Sequence, residues 1–305
     1  MELERWAELS AAVSAVAAGW KRRPKDTHCT ALVVRVHLWA ALHDRPICWA
    51  CEAANWTGRT LPEVLPDQST MSRRTRRDDF MTFQERVGER LNGKTVPGLV
   101  PALVEVVDGK PLELPNHTSD RDATWGRGVS RTSVGYKLHA ISSAGNAMPD
   151  AFAITTLNVC EKRMAARMVK RLGGAGGCGY LLGDGHYDAS WLFDYCHHHG
   201  RQLLCPRAKP GTGLGHHYVS PHRRRAIEML ESPAAVNPFG PRLYDTRTDA
   251  ERDFSGMVCF GGGLAALPPW VRRIGRVRNW VMSKLLINAA RIRINRRKGL
   301  TDAAA

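Results

Sequence analysis

Short apolar segments that alternate with amphipathic ones in the middle of the chain constrain its fold more than any other feature. Five segments have the length and alternation of β-strands, namely 104–107, 136–141, 151–155, 180–182 and 202–205. Two segments have the three-or-four-residue apolar spacing of helices, 160–172 and 189–199, and glycine follows each. The predicted order is therefore three strands in a meander, then helix, strand, helix and strand.

This order resembles that of the RNase H-like fold, in whose mixed sheet the first and fourth strands lie side by side. Asp108 directly follows the first predicted strand, and Asp184 follows the fourth. A charged side chain at the end of an apolar strand is costly unless it faces a crevice. We therefore predict an α/β protein with an RNase H-like mixed five-stranded sheet flanked by helices, in which these two aspartates are neighbours. A turn is predicted at Gly109–Pro111, after the first strand.

Carboxylates placed together in this way are typical of phosphodiester chemistry. Two divalent ions about 4 Å apart can polarise a phosphate and activate a hydroxyl. Magnesium prefers a few oxygen ligands and keeps places for water and substrate. A third carboxylate is available in the run Tyr244–Glu251, where Arg247 and Glu251 would share one face of a helix. Taken alone, that pair would be interpreted as a surface ion pair.

Four segments in sequence order carry a resemblance to a known family, and they are Val107–Pro111, Gly135–Ala140, Leu182–Asp188 and the Tyr-x-x-Arg-x-x-x-Glu run Tyr244–Glu251. Together they resemble the landmarks of the DDE transposases of bacterial insertion sequences, specifically the insertion-sequence-4 type, over roughly 104–297. The resemblance implies that Asp108, Asp184 and Glu251 are catalytic and bind Mg²⁺ or Mn²⁺. It also implies that Tyr244 and Arg247 contact DNA phosphates near the cleavage site.

The same resemblance implies a metal-dependent DNA transposase that cleaves at terminal inverted repeats and transfers the strand into target DNA. The partners would be double-stranded DNA of both kinds, and a homodimer would join two ends. The sequence departs from the family pattern at Val258, where a lysine is expected seven positions after the glutamate. Two alternatives therefore stay open: a defective or repurposed copy that binds DNA without cutting it, and an RNase H-like nuclease such as a Holliday-junction enzyme.

The charge of the chain also favours a nucleic-acid partner. The formal net charge is +15 and the isoelectric point is near 9.9. Such an excess provides salt-dependent affinity for phosphate backbones, although ribosome-associated or membrane-surface proteins share it. The sequence has no run of about 18 apolar residues, and acidic Glu2 and Glu4 stand where a secretory signal would be basic. We predict a cytoplasmic, nucleoid-associated protein with no membrane partner.

The first part of the chain is predicted to form an all-α DNA-binding domain over residues 1–95. Apolar spacing predicts helices over about 3–20 and 27–42. The stretch 61–91 resembles a helix-turn-helix, with a short helix, a turn at Pro66–Asp67 and a new helix near Ser69. That second helix would present Arg73, Arg74, Arg76 and Arg77 to DNA, and the alternative is a solvated basic helix.

The C-terminal segment has a second basic pattern. Between Val271 and Lys298 there are ten Lys or Arg residues and no Asp or Glu. We predict a helix with one apolar face on the core and an arginine face along DNA, which includes Arg272 and Arg276. A basic helix at a membrane surface is the alternative. The catalytic domain is expected to span 100–298, with helices resuming near Asp249 and a disordered tail over 299–305.

Overall fold

The structure is a computed structural model that divides the chain into two units. It describes residues 2–92, 103–143, 146–173, 179–209, 219–233, 236–248, 256–257, 260, 263–264 and 266–302. Residues 1–97, 120–122 and 256–305 belong to what we call the helical unit. Residues 98–119 and 123–255 belong to the sheet unit. Glu251 and Val258 lie outside the described residues.

The elements follow one another in the predicted general order. The helices before the sheet are α1 (Glu2–Ala18), α2 (Thr30–Leu42), α3 (Ile47–Ala50), α4 (Gln68–Arg74) and α5 (Asp78–Asn92), with 3-10 turns at Ala53–Asn55 and Gly58–Thr60. The sheet region contains β1 (Val104–Leu114), β2 (Thr124–Arg127), β3 (Thr132–Ser143), β4 (Ala151–Thr156), α6 (Glu161–Leu172), β5 (Gly179–Leu182), a 3-10 turn at Gly185–Tyr187, α7 (Ser190–His198) and β6 (Arg201–Leu204). Next come α8 (Pro221–Glu231), α9 (Phe239–Asp245) and α10 (Ile274–Asp302).

Helix α10 lies inside the helical unit, where it packs against α1, α2 and α5. Every residue from Val281 to Ala290 is buried, including Lys284 and Asn288. A helix that is apolar or paired all round is typical of a protein interior and not of a surface. The predicted division into one apolar face and one arginine face is therefore wrong for the middle of this helix.

The position of α10 also corrects the predicted domain boundaries. The prediction placed 271–298 in the catalytic domain and 299–305 in a disordered tail. The helix instead belongs to the helical unit and continues to Asp302. Its basic C-terminal turns pair with acidic residues of α1, because Lys298 contacts Glu4 and Arg297 contacts Glu8. Those ion pairs explain why an arginine-rich end can still be part of a folded unit.

The predicted helix-turn-helix is only partly present. The short helix predicted directly before Pro66 is absent, because residues 61–67 form an irregular segment after the 3-10 turn. Helix α4 begins one residue earlier than predicted, since the Asp67 carboxylate accepts hydrogen bonds from the Thr70 backbone N–H at 2.8 Å and from its hydroxyl at 2.9 Å. It ends after only seven residues, and α5 then begins at Asp78.

The sheet has six strands in the described part of the chain, one more than predicted. Its order is β2-β3-β1-β5-β6, and β4 also pairs with β3. Strands β1, β3 and β4 are antiparallel, whereas β5 and β6 continue parallel to β1. Without β2, the order is that expected of an RNase H-like sheet. The additional strand β2 lies between the first two predicted strands, where no strand was predicted.

Strand β1 is longer than predicted and passes through the expected turn. Gly109, Lys110 and Pro111 pair with His139, Leu138 and Lys137 of β3. Proline is tolerated here because β5 pairs with β1 only from Val104 to Val106, so the other edge of β1 is free of β5 beyond that point. Asp108 is therefore held inside a strand and does not stand in a flexible turn.

Helices cover the sheet and follow β6 sooner than expected. Helix α6 packs on β3 and β4, while α7 and α8 pack on β6. Helices α8 and α9 lie before Asp249, where helices were predicted to resume. Ser220 caps α8, since its hydroxyl accepts the backbone N–H of His222 at 3.1 Å and Pro221 occupies the first turn. Among the described residues, none of the helices is long and apolar enough to cross a membrane.

Candidate active site

The parallel pairing of β1 and β5 places the two predicted aspartates at the same level of the sheet. Val106 is opposite Leu182 in this pairing. Asp108 and Asp184 each come two residues further along their chains, and residues two apart point to the same face. Asp108 therefore lies on the same face of β1 as Val106, and Asp184 lies just beyond the end of β5, in extended backbone. Repulsion from Asp184 contributes to the raised pKa of Asp108, which agrees with their proximity.

Asp108 carries an unfavourable negative charge. Burial raises the pKa of its carboxyl group to about 6, and the charges of Asp184 and Glu161 add to that effect. Two groups oppose the rise: the Gly109 backbone N–H, which donates to Oδ1 at 2.7 Å, and the positive charge of Arg247. A half-buried carboxylate among like charges is an arrangement that a bound cation would stabilise.

Asp184 is more exposed and is fixed by the chain that follows it. Its Oδ1 accepts the His186 backbone N–H at 2.9 Å, and its Oδ2 lies 3.0 Å from His186 Nδ1. The Asp184 side chain is 37% exposed. The turn at Gly185–Tyr187 thus holds the carboxylate beyond the C-terminal end of β5 while leaving it accessible.

Tyr244 and Arg247 lie near the two aspartates, and their predicted contacts with DNA phosphates stay a prediction. The Tyr244 hydroxyl donates to the Gly183 carbonyl at 3.1 Å, which fixes the end of α9 next to β5. The Arg247 guanidinium lies 5.5 Å from the centre of the Tyr244 ring, and its charge lowers the pKa of Asp108. An arginine in this position can contact a phosphate that approaches the two carboxylates.

Three further residues of this region were not predicted as site residues. Glu161 begins α6, and its Oε1 lies 2.5 Å from Nζ of Lys137, which is only 5% exposed. The Tyr187 hydroxyl is buried and, within the described ranges, has no hydrogen-bond partner. Burial raises its pKa well above the ordinary value, and Glu161, Asp108 and Asp184 raise it further.

The sequence contained one signal for these three additional residues. Lys137 stands in a strand that is otherwise buried from Ser133 to Ile141. Since a buried lysine requires a partner, its position predicts a nearby carboxylate. The sequence does not show which acid supplies it, because Glu161 comes from a separate helix.

The residues present fit part of a divalent metal site. Asp108 and Asp184 offer carboxylate oxygens, the donors that Mg²⁺ and Mn²⁺ prefer, and the crowded charge at Asp108 would be relieved by a cation. The part of the chain that the structure describes contains no group of three His, Cys, Asp or Glu residues able to hold a metal. The third predicted ligand, Glu251, is outside that part.

The arginines predicted to bind DNA differ in their surroundings. Arg73 and Arg76 are exposed on and after α4, and Arg276 is exposed at the start of α10. Arg272 is half-buried, and its Nε donates to the Pro269 carbonyl at 2.8 Å. All of them belong to the helical unit.

Arg74 and Arg77 require a correction, because both are used inside the fold. The Arg74 side chain is 8% exposed and lies 3.2 Å from Asp26. Arg77 donates to both carboxylate oxygens of Asp26, at 2.9 and 3.2 Å, and also pairs with Asp79. A guanidinium that is already paired and partly buried is poorly placed to bind DNA directly.

Comparisons with known proteins give one distant likeness. No protein-family model matches the chain, and no curated protein matches it. Among solved structures, the cryo-EM structure of a piggyBac transposase synaptic complex with hairpin DNA has a TM-score of 0.33 and 12% sequence identity. The match covers 66% of this chain and 47% of the other, so this chain spans less than half of that protein in the match. The functional argument therefore depends on the residues and geometry of this chain.

Proposed function

We propose that this protein is a DDE transposase of the insertion-sequence-4 type, which cleaves and rejoins DNA with divalent metal ions. The observation that supports this most is the pair Asp108 and Asp184, each two residues beyond the paired ends of the adjacent parallel strands, with the charge of Arg247 acting on Asp108. Phosphoryl transfer needs carboxylates for the metal and a cation for the phosphate. The six-stranded sheet is consistent with an RNase H-like domain.

The proposal assigns one role to each residue of the site. Asp108 and Asp184, together with Glu251, hold Mg²⁺ or Mn²⁺. The metal, when bound, supplies a Lewis acid for the scissile phosphate and lowers the pKa of the attacking hydroxyl. Arg247 contacts the phosphate next to the cleaved bond, and Tyr244 keeps Arg247 in place by fixing α9 to the Gly183 carbonyl.

The proposed substrates are the terminal inverted repeats of the mobile element and the target DNA. The net charge of +15 supplies the general attraction to both. Two ends have to meet for strand transfer, so we propose that a homodimer carries out the reaction.

A cleavage assay with the full chain tests this function. We expect the purified protein to cut a duplex carrying the inverted repeats that flank its gene when Mg²⁺ or Mn²⁺ is present. Asp108→Asn and Asp184→Asn should each lower the cleavage rate at least about a hundredfold, since a metal ligand is lost. Asp78→Asn on the exposed start of α5 is the matched control and should leave the rate unchanged.

Three results would contradict the proposal in different ways. Equal cleavage in excess chelator would exclude metal-dependent chemistry. Tight binding of the repeats without cleavage or strand transfer would favour the DNA-binding copy without cutting activity that Val258 suggests. Equal cleavage of duplexes without the repeats would favour an RNase H-like nuclease.

A further inference from the structure

A basic cleft of about 450 Å³ lies in the helical unit between α4 and the loop that follows α1. Its lining comprises Lys25, Asp26, Thr27, His28, Asp67, Thr70, Arg73, Arg74 and Arg77. The loop supplies the segment Lys21–Lys25, in which four of five residues are Lys or Arg. We call this feature the α4 cleft.

Asp26 fastens the loop to α4 at the base of the cleft. Its carboxylate is paired with Arg74 at 3.2 Å and with Arg77 at 2.9 Å, and its side chain is only 13% exposed. Hydrogen bonds from Arg77, with the charge of Arg74, hold the pKa of Asp26 below its usual range. The pairing therefore persists at physiological pH, and the loop is held at a fixed distance from α4.

Charges at the rim are not balanced in the same way. Lys25 and Arg73 are exposed, and the Arg73 guanidinium donates to the neutral Thr70 hydroxyl at 3.2 Å. Asp67, the other acid of the lining, is engaged in capping α4, and its hydrogen bonds with Ser69 and Thr70 hold its pKa well below the usual range. Four Lys or Arg side chains thus line the cleft with two carboxylates, which leaves an excess of positive charge.

We propose that the α4 cleft binds a backbone phosphate of double-stranded DNA, with Lys25 and Arg73 in direct contact and Asp26 as the positioning residue. The inference rests on the proposed function for its ligand, since DNA is the polyanion that a transposase binds. It differs from the predicted helix-turn-helix because the contacts are to phosphate and carry no base sequence. The seven-residue α4 is a side of the cleft and not a reading helix.

Salt-dependent binding measurements can test this site without any cleavage. The full-length protein is titrated against a fluorescently labelled duplex in excess chelator, at several salt concentrations, and anisotropy gives the dissociation constant. Lys25→Ala/Arg73→Ala should weaken binding about tenfold or more. The slope of log affinity against log salt should become shallower by about 1, because each phosphate that is no longer neutralised removes about 0.9. The loss should be equal for repeat and random sequences.

A charge-matched control separates the cleft from general electrostatics. Arg86→Ala/Arg90→Ala removes two exposed arginines from α5 in the same unit, and it should change the affinity less than about twofold. Both double variants should keep the wild-type melting temperature, since all four side chains are exposed. Equal affinity and equal salt slope for the two double variants would overturn the inference.

Two further results distinguish the site from the proposed function and from a small-anion site. Wild-type protein that never cleaves DNA, but whose binding depends on Lys25 and Arg73, would refute the transposase proposal and support the α4 cleft. Inorganic phosphate should raise the melting temperature of the wild type and the Lys25→Ala/Arg73→Ala variant equally. A millimolar phosphate effect confined to the wild type, with equal DNA affinity of both proteins, would instead assign the cleft to a free anion and overturn the DNA inference.

Discussion

The helical unit and the sheet unit both bury ionisable side chains in ion pairs, and the described part of the sheet unit also holds a half-buried carboxylate that is crowded by like charges. In the helical unit, Lys284 Nζ donates to Asp44 and to the Ala41 carbonyl, both at 2.6 Å, and Arg74 is paired with Asp26. In the sheet unit, Asp108 lies near two other carboxylates and has a raised pKa. Opposite charges that meet inside a protein support its architecture, whereas crowded like charges with a raised pKa are typical of functional sites. The following predictions test this difference, from the largest expected effect to the smallest.

Arg74→Ala should destabilise the helical unit by about 3 kcal/mol, because it removes one partner of a buried ion pair. It also deprives the Thr30 hydroxyl and the His28 carbonyl of a donor. The exposed Arg76→Ala is the control and should cost less than about 0.5 kcal/mol. Urea unfolding followed by tryptophan fluorescence measures both, and similar values for the two variants would show that Arg74 is not structural.

Acidification should destabilise the helical unit through His37. This residue is fully buried, its Nδ1 lies 2.9 Å from Ser283 Oγ, and burial lowers its pKa to about 4. The unfolded chain, with a histidine pKa of about 6.5, binds the extra proton first. The contribution is therefore complete above about pH 6.5 and is lost as the pH falls toward 4, by about 2 kcal/mol at pH 5.

The variant His37→Gln isolates this effect. It should be less stable than the wild type at pH 8, and its free energy of unfolding should fall less steeply between pH 6.5 and 5. Parallel pH profiles for the two proteins would exclude His37 as the cause. His139 in β3 has a pKa lowered to about 4 by burial as well, so a neutral buried histidine is common to both units.

Asp108→Asn should stabilise the protein in metal-free buffer at pH 8, by about 1 kcal/mol. Replacing the carboxylate removes a half-buried charge near Asp184 and Glu161, although it also weakens the bond from the Gly109 N–H. Thermal unfolding measures the change, with Asp78→Asn as the control, which should lower the stability slightly because it removes a negative charge at the N-terminus of α5. A lower melting temperature for Asp108→Asn would mean that this aspartate supports the fold, and the contrast between the units would disappear.

Gly109→Ala should have the smallest effect, below about 1 kcal/mol. A Cβ atom at this position would lie 3.3 Å from Cδ of Glu161 and 3.5 Å from Cδ of Lys137, and both belong to flexible side chains that can shift. Gly126→Ala is the contrasting variant, since its Cβ would lie 2.7 Å from the Leu157 backbone. We expect the second change to cost about 2 kcal/mol or more. Equal melting temperatures for the two would contradict this account of the packing.

The sequence predicts the order of strands and helices along the chain because that order depends on local patterns, whereas the expectation that the two aspartates are neighbours came from the resemblance to the RNase H-like fold. Apolar alternation identified β3 and β4, and the position of Asp184 after a short apolar strand was confirmed. The length of β1 was not predictable in this way, since Gly109–Pro111 has the composition of a turn and becomes a strand only through pairing with β3. The roles of Glu251 and of the metal ions remain predictions.

Long-range pairing also explains the errors in the helical unit. Arg74, Arg76 and Arg77 are equivalent in the sequence pattern. Only the ion pairs with the distant Asp26 show that Arg74 and Arg77 are structural, whereas Arg76 is exposed. In the same way, the sequence pattern assigns Lys284 to a basic face. The structure shows instead that Lys284 donates to the Ala41 carbonyl in α2 and to Asp44 just after α2.

The central position of α10 has a consequence for how the protein is made. Helices α1, α2 and α5 complete their packing only around a segment that leaves the ribosome some two hundred residues later. During translation the faces of these helices that pack on α10 stay uncovered until α10 is made. All strands of the sheet unit, in contrast, are synthesised before α10. We expect the early helices to be the part of the nascent chain that depends most on chaperones, since synthesis that stops before α10 would leave the faces that pack on α10 uncovered.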